Sequence, residues 1–229
     1  MSIDPKLITI CTTNMNRNEY LKKALPTWLG RGFKEIIIVD WNSETPLIND
    51  RPLEDCSLFK KELVKVVRVN DQPFFNCTKS RNLAAEFCTT PYIWFMDGDV
   101  RMTFKNLDFL KLNPGVFYHG ALFTTGAPTT GSCIMEKSMF DEINGYSEFI
   151  STLPGEDLDL YNRLKRSGYK RKYFPFGSLK HIYHPYSLRT KYRPWFGMSR
   201  AAGTRAAFKE VSWNKDYKQL HVPHEIHIL

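Results

Sequence analysis

Apolar residues occur along this chain in two kinds of run. Glu35-Ile36-Ile37-Ile38-Val39-Asp40 and Pro91-Tyr92-Ile93-Trp94-Phe95-Met96 are continuous, without polar alternation, the pattern of strands buried on both faces of a parallel sheet. Residues 7–11 read as another strand, closing on the polar loop Thr12-Thr13-Asn14-Met15-Asn16-Arg17. Residues 63–69 alternate more and read as a strand nearer an edge. Between these runs the spacing becomes helical. Tyr20, Leu21, Ala24, Leu25 and Trp28 share one face of a helix predicted from Asn18, its cap, to about Leu29, kinked or shortened by Pro26. A second helix opens at Thr78 or Ser80 and carries Arg81, Asn82, Leu83, Ala84, Ala85 and Phe87. This order of strands and helices describes a doubly wound α/β layer.

Regularity loosens after residue 100. The pattern predicts a short helix over 104–110, a strand over 116–119, a small-residue loop over 120–131 and extended chain over 132–136. Ser138 caps a turn of helix that ends at Asn144-Gly145. A longer helix starts at Pro154-Gly155 and reaches Arg166, stopped by Ser167-Gly168. Residues 171–176 and 180–184 read as extended, and 195–210 as a final basic helix.

Composition adds a compartment and a partner class. With 42% hydrophobic and 14% aromatic residues the chain is globular, not disordered. No apolar run approaches the length of a membrane span, and the first residues lack a secretory pattern. Five cysteines without paired spacing suit a reducing compartment, so a cytoplasmic location is expected, with Cys11, Cys88 and Cys133 as core residues. The net charge of +8 is uneven: residues 1–159 hold 17 basic and 21 acidic side chains, whereas 160–229 hold 15 and 3. Such a basic end faces something anionic: a nucleotide diphosphate, an acidic membrane or a nucleic acid.

Chemistry concentrates where strands end. Asp97-Gly98-Asp99 follows the most apolar run, where open α/β sheets collect ligands. Two carboxylates at i and i+2 suit a divalent cation carrying phosphate oxygens, with Gly98 expected to let the backbone turn tightly. Asp-Gly-Asp also forms ordinary surface turns, and its place after a buried strand favours the site. Glu156 and Asp157 open a helix, where acids also complement the dipole. His181 and His184 lie on a segment read as strand. They are expected on opposite faces, so that one at most reaches Asp99.

Taken together, Asp40 after its strand, Lys79-Ser80-Arg81-Asn82-Leu83-Ala84, the Tyr92–Asp99 stretch and Gly155-Glu156-Asp157 resemble the A-type fold of nucleotide-sugar glycosyltransferases, especially family 2. The resemblance spans residues 7–184. It implies a single Rossmann-like α/β domain over 1–184, with a mixed, mainly parallel sheet and helices on both faces. Residues 1–100 form its nucleotide half and 101–184 its acceptor half, and 185–229 are a basic aromatic extension. It also implies a metal-dependent transferase using Mn²⁺ or Mg²⁺ and a nucleotide-diphosphate sugar. Asp99 would be the direct metal ligand, and Asp97 would bind the ribose, a metal-bound water or the metal. His184 is the preferred histidine ligand. Asp40 would hold the nucleobase, Arg81 the nucleotide side, and Thr12 and Asn14 the base pocket. Asp157 would be the base of an inverting transfer and Glu156 would orient the acceptor. The acceptor would be a hydroxyl of a saccharide or lipid-linked glycan. Hydroxylated bases in DNA, as for phage enzymes of similar fold, are the alternative. A nucleotidyltransferase would carry glycines in its first loop, and 12–17 have none. A non-catalytic nucleotide-sugar-binding module would not need Asp157.

Overall fold

The computed structural model describes residues 3–49, 64–120, 129–148, 150, 155–185 and 224–228. The anticipated parallel strands are β1 (Ile8–Asn14), β2 (Glu35–Trp41), β3 (Val64–Val69) and β4 (Tyr92–Phe95). Side strands are β5 (Val100–Met102), β6 (Val116–His119), β7 (Cys133–Glu136), β8 (Lys170–Tyr173), β9 (Leu179–His181) and β10 (His224–Ile228). The main sheet has the order β10-β3-β2-β1-β4-β7-β6-β8, and β5 pairs with β9 in a separate ribbon. Pairing is parallel from β3 through β2 and β1 to β4 and between β6 and β8, and antiparallel for β10 on β3 and for β7 with β4 and β6. The sheet is therefore mixed.

Period-two alternation explains why the strands looked uniformly apolar. Ile8, Ile10, Ile36, Ile38, Trp94 and Met96 join Leu21, Ala24 and Trp28 in one buried cluster. Cys11, Ile37, Val39, Ile93 and Phe95 join Leu83, Ala84, Phe140, Leu160 and Leu164 in a second. Helix α1 (Asn18–Ala24) thus covers one face, and α2 (Cys77–Glu86), α3 (Lys137–Glu142) and α4 (Glu156–Arg166) the other. Both faces are covered, as anticipated.

Several local expectations are corrected. Helix α1 ends at Ala24 and tightens into a 3₁₀ turn over Leu25–Thr27, because Pro26 removes a donor. Its N-cap is Arg17 rather than Asn18, whose Oδ1 instead accepts from Asn14 Nδ2 at 2.7 Å. The cap of α2 is Asn76, accepting from Lys79 N, upstream of both expected hydroxyls, Thr78 and Ser80. Ser138 lies inside α3, with Glu136 at the N-cap. Residues 104–110 are bends and turns rather than helix; Leu107 and Leu110 are buried without one. The strand β10 was not anticipated, and it makes β3 an interior strand of the sheet. Cys11 and Cys133 are buried, Cys88 is half-buried, and these with Cys77 are free thiols. Most of the 120–131 loop and the 195–210 segment lie outside the described residues. No helix among the described residues is long and apolar enough to cross a membrane.

Candidate active site

The site is built on the carboxyl ends of β1, β2 and β4. Past Phe95, Met96 N still donates to Cys11 O at 2.9 Å, and the chain then turns, with Val100 N donating to Asp97 O at 3.0 Å. Gly98 makes this turn without entering the left-handed region. Its constraint is closeness, because a Cβ there would stand 3.3 Å from Thr13 O.

The two carboxylates of this turn go separate ways. Asp97 Oδ1 accepts from Arg81 Nη2 at 2.6 Å, and Arg81 Nη1 donates to Asp157 Oδ1 and, at 3.2 Å, to Tyr146 Oη. One buried guanidinium therefore ties Asp97 to the first turn of α4, bringing Asp157 to the same rim. Gly131 lies against this pair, and a Cβ there would overlap the Asp97 carboxylate and Arg81 Nη2. Asp99 Oδ2 instead meets His184 Nε2 at 2.9 Å, His181 Nε2 at 3.5 Å and Arg17 Nη1 at 3.3 Å.

The expectation that a single histidine reaches Asp99 is corrected. Strand β9 ends at His181, so alternation does not extend to His184, and both rings turn inward with centroids 5.1 Å apart. Ligand atoms of Asp99, His181 and His184 all lie within 4.8 Å of one another. Asp97 is outside this group and faces Arg81. The donor set fits a cation. His184 stands with Nε2 2.9 Å from Asp99 Oδ2 and Nδ1 3.3 Å from Pro185 O. A neutral imidazole presents a lone pair on one ring nitrogen, so two imidazoles and a carboxylate converging here can ligate a cation as well as hydrogen-bond to one another. One oxygen and two nitrogen ligands also leave positions open for diphosphate oxygens.

Electrostatics separate the acids. Burial raises Asp97 to about 6, helped by Asp99 and Asp157 and opposed by Arg81. Burial also acts to raise Asp99, but hydrogen bonds from His181 and His184 and the Arg17 charge hold it well below the usual carboxylate range. Burial, then the charge of Asp157, pushes Glu156 up to about 8. Glu156 Oε2 accepts from Gly155 N at 3.0 Å.

Asp40 is fully buried. Its oxygens accept from Leu47 N at 2.8 Å, Ser43 N at 3.3 Å and Arg68 Nη1 at 2.9 Å. Arg68 is its register partner on β3, so Asp40 fastens the loop after β2. Asn14 Nδ2 donates to Asn18 and Ser43, and Thr12 lies beneath Gly98. Sequence reading did not single out Arg17, Gly131 or Tyr146. Arg17 was visible at the end of the first loop, but nothing local linked it to a residue 82 positions away.

Comparison with known proteins adds to this geometry. Residues 9–108 match the model of glycosyl transferase family 2, and residues 123–185 match one described as the N-terminal domain of galactosyltransferase. No curated protein matches. Among solved structures, the chain is similar to a mutant of Drosophila β1,4-galactosyltransferase 7 in complex with manganese, UDP-Gal and xylobiose. That match has 17% identity and a TM-score of 0.62, covering 92% of this chain and 81% of that one. The catalytic domain of the Drosophila enzyme in complex with xylobiose matches with 16% identity and a TM-score of 0.63, at the same coverages. GalNAc-T7 with UDP, GalNAc and Mn²⁺ matches with 14% identity and a TM-score of 0.66; 88% of this chain spans about half (47%) of that one. The mixed sheet, its helices on both faces and the two family models agree: this chain has the A-type fold of the glycosyltransferases, family-2-like across its first half.

Proposed function

We propose that the chain is a metal-dependent glycosyltransferase that moves a sugar from a nucleotide diphosphate to an acceptor hydroxyl, with inversion. The observation that carries this reading is the Asp99–His181–His184 cluster, at the strand end where this fold gathers ligands. These three residues would hold Mn²⁺ or Mg²⁺, and Asp97 would contact the ribose or a water on the cation. A divalent cation bound there supplies positive charge against the diphosphate as it leaves.

The two acids of α4 divide the work. Asp157 Oδ1 is engaged by Arg81, which leaves Oδ2 to take the acceptor proton. Glu156, pushed up to about 8 by burial, is protonated at neutral pH and suits orienting rather than accepting. Arg81 positions the base and marks the nucleotide side. Thr12 and Asn14 line the base pocket, whose wall Asp40 fixes from beneath.

The test begins with a thermal-shift screen of nucleotide sugars with and without Mn²⁺, since a ligand specific to the native state raises its melting temperature. Turnover of the best donor is expected to vanish in both Asp99→Ala and Asp157→Asn. The Asp157→Asn variant should still show the donor shift, because its amide oxygen can accept from Arg81. Stabilisation by donor without turnover in any form would leave a binding module. Turnover surviving in both variants would remove these residues from the mechanism.

A further inference from the structure

We infer that β8 and the turn following it form a docking face for an anionic lipid bilayer. From Lys165 to Pro185 the sequence has no acidic residue. Its six cations, Lys165, Arg166, Lys170, Arg171, Lys172 and Lys180, are all exposed. Strand β8 is the outer strand of the main sheet, so Lys170, Arg171 and Lys172 meet no neighbouring strand on that side among the described residues, whereas Lys180 lies on β9 opposite Arg101 of β5.

Lysines on an edge strand also discourage edge-to-edge pairing, but that role does not call for aromatic rings. Phe176 is 74% exposed, Tyr183 82% and Tyr173 51%. Phe176 is also held out by a firm turn. Phe174 is buried and stacks on Trp94, with centroids 5.2 Å apart. Ser178 N and Oγ both donate to Pro175 O, at 3.1 and 2.7 Å. Thr103 N donates to Ser178 O at 3.0 Å, and Gly177 takes a positive φ of 76°. An apolar ring at a fixed tip, with the cations of β8 and the exposed Tyr173 directly before it in the chain, matches the depth profile of a bilayer surface: acyl boundary, phosphates, interface. A nucleic acid would favour rings along a groove that tracks its backbone, whereas these stand on a turn and a sheet edge. Docking needs no sugar donor, so it stands or falls apart from the transfer chemistry.

The test is cosedimentation of the full chain with vesicles of phosphatidylcholine alone or with phosphatidylglycerol, at low and high salt. Binding is expected only to the anionic vesicles and should weaken with salt. Phe176→Ser, and separately the combined Lys170→Glu, Arg171→Glu and Lys172→Glu, should each weaken it at least tenfold with an unchanged melting temperature. Lys180→Glu, on a different strand, is expected to weaken it in the same direction and guards against misfolding of the others. Binding unchanged in all these variants would overturn the inference, as would DNA that binds more tightly than vesicles and displaces them through the same residues.

Discussion

Arg17 and Asp99, 82 positions apart, meet with Nη1 3.3 Å from Oδ2, while the same Nη1 lies 3.4 Å from His184 Nε2. A guanidinium thus lies against two of the three residues expected to hold the cation, and like charges compete for one carboxylate. Arg17→Gln should therefore tighten Mn²⁺ binding in the absence of nucleotide by about fivefold, the equivalent of roughly 1 kcal/mol for a partly exposed pair. Titration monitored by the spin signal of free Mn²⁺ reads this directly. Equal or weaker affinity would show that Arg17 does not oppose the metal.

Arg81 is the buried tie between Asp97 and Asp157. Arg81→Ala leaves two carboxylates facing each other without a counter-charge, and breaking a buried pair in this way costs about 3–5 kcal/mol. Denaturant unfolding should show this loss. Arg81→Lys should recover part of the stability but not the fork that holds both acids, so turnover should stay low. Full activity in the lysine variant would mean that charge alone suffices.

Gly131 tests the same bridge from the other side. In Gly131→Ala the new methyl must displace the Asp97 carboxylate or Arg81 Nη2, a misfit of about 1–3 kcal/mol for an overpacked site. Loss of donor binding with the fold retained is expected, read by circular dichroism alongside the thermal-shift assay. Gly98→Ala, where the nearest atom is Thr13 O at 3.3 Å, should be milder.

Glu156 predicts a pH dependence of stability. Its folded-state pKa, raised by burial and by Asp157, is about 8 against an ordinary value of 4.5. Below about pH 4.5 both folded and unfolded forms carry the proton, so the group costs nothing there. As pH rises toward 8 the unfolded chain ionises first, and stability falls. Glu156→Gln, which keeps an acceptor for Gly155 N, should match the parent protein near pH 4.5 and exceed it near pH 8 by about 1 kcal/mol or more. Melting curves at the two pH values decide it, and parallel behaviour of both proteins would refute the shift.

The sheet was legible because its strands are nearly pure in composition. Ile36 to Val39 and Ile93 to Phe95 are buried on both faces and admit no other period. Strand β10 was hidden: His224-Glu225-Ile226-His227-Ile228 carries little apolar signal, and its half-exposed edge position demands little. Asp99, His184 and Asp157 could be named from residue type and place in the chain. Their partners could not. That Asp97 turns to Arg81 and Asp99 to the histidines depends on a backbone turn that sends neighbouring side chains in different directions. Likewise Asp40 looked free to meet a base until Arg68, one strand over, took its charge.

The antiparallel pairing of residues 224–228 with β3 also matters for handling the protein. Trimming the C-terminus as though it were dispensable would strip a flank from the sheet, baring the amides and carbonyls along Val64–Val69 to any other extended polypeptide. Shortened versions would then self-associate for reasons unrelated to their chemistry, and an affinity handle is better placed at the opposite terminus.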